Sequence, residues 1–224
     1  MSTAPFSHVR GIIFDLDGTL YVLQWFMKPL IFFRLFPSSM RLPGFLAIRE
    51  KFAGKDMGTQ ERLLAAIGDE FARREKMSPL EARQWIVDSF YPSFVAIMRF
   101  FRFSRPFIRR VLAGLRAKGI RLAVLSDYDC VKERLGKLGL SVSLFDTVSS
   151  CEAAGALKPH PRPFLDIAEK WGIEPGDVLV IGDRMDTDGR AAQNAGMQFV
   201  MVADTLLAPP GALRWGAISR MLLL

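Results

Sequence analysis

Hydrophobic and polar positions follow two different rhythms along this chain, and the change of rhythm divides it. Val9 to Phe14 is a short run of β-branched and aromatic residues, Ile120 to Leu125 and Val178 to Ile181 are two more, and each ends on polar residues: Asp15 and Asp17, Ser126-Asp127, and Gly182-Asp183. Runs of this length predict strands buried on both faces, joined by a shorter strand near Leu144 to Val148 and a last one over Gln198 to Val202. Helical periodicity fills the intervals. Phe107, Ile108, Val111, Leu112 and Leu115 share a face that stops at Gly119, Val131, Leu135 and Leu138 share another, Phe164 to Trp171 stops at Gly172, and Ala191, Ala192 and Ala195 mark a fourth. Strands alternating with helices predict an α/β fold with a parallel sheet covered on both faces.

From Tyr21 to Phe103 the strands cease. Thr59 can cap a helix carrying Leu63, Leu64, Ile67 and Phe71, and Ser78-Pro79-Leu80-Glu81 has the spacing of a capping box with proline at the first helical position. The pattern therefore predicts an all-helical insertion over 21–103 in an α/β core made of 1–20 and 104–224.

Composition narrows the class. With 224 residues, half of them hydrophobic, the chain can bury a full core. Its two cysteines, Cys130 and Cys151, have no metal-ligand spacing and suit a reducing compartment. Met1 to His8 does not read as a secretory signal, and the most apolar stretch, Tyr21 to Phe36, is interrupted by Lys28, Pro29 and Arg34 and falls short of the ~20 residues a spanning helix needs. The expected location is the cytoplasm.

The chemistry is concentrated at the strand ends. In a parallel sheet, Asp15, Asp17, Ser126, Lys158, Asp183 and Asp188 all converge on the carboxyl edge, where ligands bind. Asp15 and Asp17 lie two residues apart, so in a partly dry site they need a cation or a proton between them. A hard cation such as Mg²⁺ meets that need, leaving one carboxylate to attack an electrophile and the other to handle the leaving-group proton, the division of labour of an aspartyl-phosphate mechanism. Gly18 lets the chain leave the strand sharply, and Thr19 offers a hydroxyl and an amide to an oxyanion.

Four segments, Asp15-Leu16-Asp17-Gly18-Thr19, Leu125-Ser126-Asp127, Leu157-Lys158-Pro159-His160-Pro161 and Ile181-Gly182-Asp183-Arg184-Met185-Asp186-Thr187-Asp188, resemble in order the motifs of the haloacid dehalogenase superfamily, in its phosphoglycolate-phosphatase-like branch. The resemblance runs over residues 9–203 and places the helical insertion where that branch carries its cap. It implies a Rossmann-like core and hydrolysis of small-molecule phosphate monoesters with Mg²⁺. Asp15 would be nucleophile and metal ligand, and Asp17 the general acid and base with its carbonyl on the metal. Gly18, Thr19, Ser126, Asp127 and Lys158 would hold the phosphoryl oxygens, and Asp183 and Asp188 would complete the metal site. The competing readings are a phosphomutase or dehalogenase of the same superfamily, or a catalytically weak binding protein. A halide leaving group needs no proton, so Asp17 favours phosphate.

Three positions depart from the pattern. No acid follows soon after Thr19, residue 127 is Asp where Asn is frequent, and Asp186 competes with Asp188 for the last ligand position. His160 is read as a loop residue, because Asp17 already supplies the acid.

The two connections between core and insertion are basic and aromatic. Residues 18–49 hold no acid, residues 98–110 hold five arginines and no acid, and 21–103 carry 13 Lys/Arg against 8 Asp/Glu. The readings are a solvated face over a cap core of aromatics, or a peripheral membrane or lipid-phosphate surface, with nucleic acid disfavoured because no binding module is recognisable. An apolar and basic cap also predicts a substrate with an apolar body and a terminal phosphate.

Overall fold

A computed structural model describes residues 6, 8–101, 105–203 and 208–223. Arg102, Phe103, the expected core boundary at Ser104 and most of the first eight residues lie outside them.

The central strand is β1 (Gly11–Phe14), wholly buried because sheet neighbours flank it and helices cover both faces. Five parallel strands are ordered β3-β2-β1-β4-β5, with β2 at Arg121–Ser126, β3 at Thr147–Ser150, β4 at Val178–Gly182 and β5 at Gln198–Met201. The chain winds outward from β1 to β3 on one side and then to β4 and β5 on the other. The strand order therefore reverses between β1 and β4, where an open sheet parts and ligands bind. Phe14 pairs in register with Val124 and Ile181, which brings Asp15, Ser126 and Asp183 to nearly one height.

The expected third strand is shifted. Leu144 belongs to a tight turn over Val142–Leu144 that Ser141 caps, and the strand is the more polar Thr147–Ser150. At the sheet edge such residues find partners of their own: Thr147 accepts from the Trp171 indole at 3.1 Å. A strand defined by one neighbour does not need the apolar run that the pattern sought.

Helices over the first long interval are α1 (Met27–Arg34), α2 (Leu42–Lys51), α3 (Gln60–Glu75), α4 (Pro79–Gln84) and α5 (Tyr91–Ile97). Thr59 caps α3 through the Arg62 amide at 3.3 Å, and Ser78 and Glu81 close both bonds of the capping box. Between α4 and α5 the helix widens to π geometry over Trp85–Phe90, just before Pro92, which has no amide for an ordinary helical bond. Phe45, Phe71, Trp85 and Phe90 pack edge to face or tilted as an aromatic core among these helices.

The remaining helices are α6 (Ile108–Ala117), α7 (Val131–Lys137), α8 (Cys151–Ala154), α9 (Arg162–Trp171), α10 (Arg190–Asn194) and α11 (Trp215–Leu223). The last lies beyond the elements that periodicity predicted and packs on α6, where a side chain on Gly114 would meet Leu223. Cys130 and Cys151 are free thiols. No helix of the described residues is long and apolar enough to cross a membrane.

The helical segment is stitched to the core beside the site. Residues 53–57 exchange backbone hydrogen bonds with 155–158, Gly54 to Lys158 at 3.1 Å and Met57 to Gly155 at 2.8 Å among them. A side chain at Gly155 would collide with the backbone of Thr59. A buried ion pair reinforces the seam: Arg49 of α2 meets Glu152 of α8 at 2.5 Å, and Tyr91 of α5 donates to the same carboxylate.

Candidate active site

Asp15 leaves β1 with its amide still bonded to Ile181, so its carboxylate is fixed at the sheet's parting line. It is buried, and its neighbours are ionisable. Lys158, itself 3% exposed, donates from Nζ to Asp15 Oδ1 at 2.7 Å and to the Leu125 carbonyl at 3.0 Å, and stands 2.7 Å from Asp188 Oδ1 in a charge contact without a hydrogen bond. Burial works against the ammonium, but Asp15 and Asp188 outweigh it and hold Lys158 charged far above the usual lysine range.

The acids outnumber that one lysine. Oxygens of Asp15, Asp183 and Asp188 all lie within 4.8 Å of one another. Burial raises the Asp15 carboxyl well above its usual range despite Lys158, and repulsion from Asp188, Asp17 and Asp183 adds to it. Asp183 is pushed up to about 7, by burial first and by Asp188 next. Asp15 Oδ2 is buried with no hydrogen-bond partner. Three converging carboxylates with an orphaned oxygen fit a small hard dication, which would accept all three as ligands and relieve their repulsion.

Two glycines make this approach possible. Gly18 has φ +85°, and a Cβ there would sit 2.0 Å from Asp183 Oδ2. At Gly182 a Cβ would fall 2.4 Å from that of Asp188, which stands in the π turn Met185–Gly189.

Asp17 is held apart from this cluster. Its Oδ1 accepts from the Tyr21 hydroxyl at 2.5 Å and from Arg134 Nη2, and its Oδ2 accepts from Ser126 Oγ at 3.0 Å. Burial alone would raise its pKa, but the Arg134 guanidinium and these hydrogen bonds carry it below the usual carboxylate range. Arg134 is fully buried, bonds Ser126 Oγ at 3.0 Å and stacks 4.2 Å from the Phe94 ring of α5.

The other expected residues have definite places. Ser126 is buried and committed to Asp17 and Arg134. Asp127 Oδ1 accepts the Lys158 amide at 3.0 Å, so its carboxylate positions the lysine loop, and its carbonyl accepts from Arg49. Thr19 is buried, with its amide turned to Leu16 and its hydroxyl oxygen inaccessible, so it does not present itself to an oxyanion. Asp188 joins the acidic cluster, whereas Asp186 is at the surface, paired with Arg184 at 2.5 Å and lowered by it. His160 accepts the Arg162 amide at 3.2 Å as a loop residue.

Three contributors escaped the sequence reading. Tyr21 and Arg134 grip Asp17, and Arg105, counted there among surface basic residues, is 3% exposed and clamps the carbonyls of Thr19 at 2.9 Å and Gly18 at 2.6 Å. Burial lowers the Arg105 pKa to about 10, with Asp183 opposing. Arg134 had a signal: it lies three residues after Val131 and four before Leu138, on the helix face predicted to be apolar.

A parallel sheet whose central strand delivers a buried carboxylate to a lysine and two further acids defines an enzyme class built around an aspartate at a sheet switch point. Residues 9–196 match the family model described as haloacid dehalogenase-like hydrolase, and the chain belongs to that family. Among curated relatives, a glyceraldehyde 3-phosphate phosphatase of Methanopyrus kandleri is 34% identical over 43% of this chain and 42% of its own length. Another so named, from Methanocaldococcus jannaschii, is 28% identical over 87% of this chain and 85% of its own. The matches to the first curated relatives cover less than half of those proteins. A magnesium-bound hydrolase of this superfamily from Bacillus subtilis shares the fold, with a TM-score of 0.66 and 16% identity over 96% of this chain and 99% of its own.

Proposed function

We propose that this protein is a Mg²⁺-dependent phosphatase that cleaves small phosphate monoesters through an aspartyl-phosphate on Asp15. The observation that carries the reading is the convergence of Asp15, Asp183 and Asp188 around Lys158, with Asp17 in a separate, charge-stabilised position. Asp15 attacks phosphorus, the ester bond breaks, and Asp17 gives a proton to the departing alkoxide. In the second half Asp17 takes a proton from the water that attacks phosphorus, the bond to Asp15 breaks, and inorganic phosphate leaves. Lys158 stabilises negative charge on the transferring group. Bound by Asp15, Asp183 and Asp188, with the Asp17 carbonyl as a further ligand, Mg²⁺ would supply a second positive charge to the phosphoryl oxygens.

In this reading residues 21–103 act as a cap over the core. A cleft of about 430 Å³ beside Lys158 is lined by Lys28, Arg49, Glu50, Tyr128 and Arg184, among others. That lining suits a compact polar ester. It replaces the apolar substrate body expected from the hinge, because Trp25, Phe33 and Phe36 point to solvent instead. The names of the relatives, which specify a three-carbon sugar phosphate, support the same size and polarity.

The test is phosphate release from a panel of monoesters with Mg²⁺ and with EDTA. Turnover of short polar phosphates that EDTA abolishes is expected. Metal-independent chloride release from a haloacid would overturn the reading, and so would binding of phosphate esters without any turnover.

A further inference from the structure

The segment from Trp25 to Arg41 carries aromatic residues that neither the core nor the cleft uses. Ile31 and Leu35 face inward and are buried, so α1 is already anchored. Along α1 and just before and after it, Trp25, Phe33, Phe36 and Met40 are 86%, 77%, 78% and 75% exposed. Pro29, Phe33 and Phe36 follow one another at four and three residues, and the Phe36 amide still bonds to Phe33, so they form one row along the helix and its end. Exposures that high mean rings standing free on nearly all sides, costly in water unless something covers them.

The charges around the row name the cover. Arg34 is exposed beside it and Arg41 is half-buried, and residues 18–49 hold no acid of their own, with Glu81 near Arg41 and Glu133 sharing a groove with Arg34. We propose that residues 25–41 form a docking surface for an anionic phospholipid bilayer, with Trp25, Phe33, Phe36 and Met40 entering the headgroup boundary and the basic residues meeting lipid phosphates. Protruding aromatic side chains on a segment that is basic and holds no acid of its own match an interfacial helix. A protein partner would instead want aromatic anchors seated among packed neighbours rather than rings standing clear of the surface. The surface is distinct from the acidic cluster and does not depend on the proposed hydrolysis.

The experiment is sedimentation of the full chain with phosphatidylcholine vesicles, with and without phosphatidylserine, without substrate, and with Trp25 fluorescence as a second readout. Binding to the anionic vesicles only, a blue shift in emission and weakening with added salt are expected. Phe33→Ser with Phe36→Ser should weaken binding by more than about tenfold through lost apolar burial. Arg34→Gln and Arg41→Gln should each weaken it roughly fivefold. Neither pair should change hydrolysis of a soluble ester, and the arginine pair carries the test if the phenylalanine pair lowers the melting temperature. Failure to sediment at low salt would overturn the proposal, as would equal binding to neutral vesicles. A dimer of the wild-type chain that Phe33→Ser with Phe36→Ser dissolves would assign the row to self-association and overturn it too.

Discussion

Arg134, wholly buried on α7, donates to the same Asp17 oxygen that receives the Tyr21 hydroxyl, so the proposed proton-transfer acid rests in its ionised form. That relationship sets both stability and pH dependence. Because the folded-state pKa of Asp17 is depressed, its stabilising contribution is present above the unfolded carboxylate value and is lost as pH falls through the folded one. Arg134→Met leaves a partly buried carboxylate, still bonded by Tyr21 and Ser126, without its cation, and a loss below the about 3–5 kcal/mol of a fully buried pair is expected in urea denaturation. In turnover the acid must be protonated, so activity declines as pH rises past its pKa. With Arg134 gone that pKa rises, and the alkaline limb of kcat/KM should move to higher pH while the maximum falls. A residue that only filled space would lower the rate at every pH and leave the limb where it was.

Asp183 gives the opposite sign. Its folded pKa of about 7 lies above the ordinary carboxylate value, so without metal the folded state holds a proton that the unfolded state releases. Stability from this group is therefore full below the ordinary value and declines as pH rises from about 4 toward 7. Mg²⁺ would remove the conflict by displacing that proton. The melting-temperature gain on adding Mg²⁺ should be larger at pH 7.5 than at pH 5.5, with the Asp183→Asn variant losing most of the difference. A gain independent of pH would exclude Asp183 from the metal site.

Asp15→Asn separates chemistry from folding. The carboxylate is the proposed nucleophile, and burial together with three neighbouring acids already disfavours its charge. Turnover should fall by several orders of magnitude, while the melting temperature of the metal-free protein stays level or rises as repulsion is relieved. A variant that kept a substantial share of the wild-type rate would remove Asp15 from the mechanism.

How far the sequence foretold this site follows from what holds each residue. The acids at Asp15 and Asp183 were legible because a strand buried on both faces is a continuous apolar run, and the first acid after it must stand at the sheet edge; Asp188 was favoured over Asp186 only by its spacing from Gly182-Asp183 in the family motif. Gly18 was legible as the point where the chain leaves the strand sharply, whereas the crowding of acids against Gly18 and Gly182 shows only in the fold. Arg105 and Tyr21 were not. Their partners are backbone carbonyls and a carboxylate brought close only by the fold, and in sequence they are one more arginine in a basic hinge and one more aromatic in an apolar stretch. The aromatic residues of the helical segment divide the same way: Phe45, Phe71 and Phe90 are core, while Phe33 and Phe36 are surface, and only packing among α2, α3 and the π turn distinguishes them.

Gly18→Ala tests the closest approach that a side chain would meet at any glycine. The residue must hold φ +85°, where a Cβ is strained, and that Cβ would lie 2.0 Å from Asp183 Oδ2. Arg105 fixes the Gly18 carbonyl at 2.6 Å from the other side, so the loop cannot swing away to make room. Either the turn shifts, moving Asp17, or Asp183 moves out of reach of Asp15 and Asp188. The backbone strain is of order 1–3 kcal/mol, and Mg²⁺ affinity measured by calorimetry should fall by at least about tenfold, which corresponds to ~1.4 kcal/mol. The double variant Gly18→Ala with Asp183→Asn decides between the two displacements. If the damage runs through Asp183, adding the alanine to Asp183→Asn should cost little further metal affinity. If the alanine still lowers turnover severalfold in that background, the shift runs through the turn and the placement of Asp17.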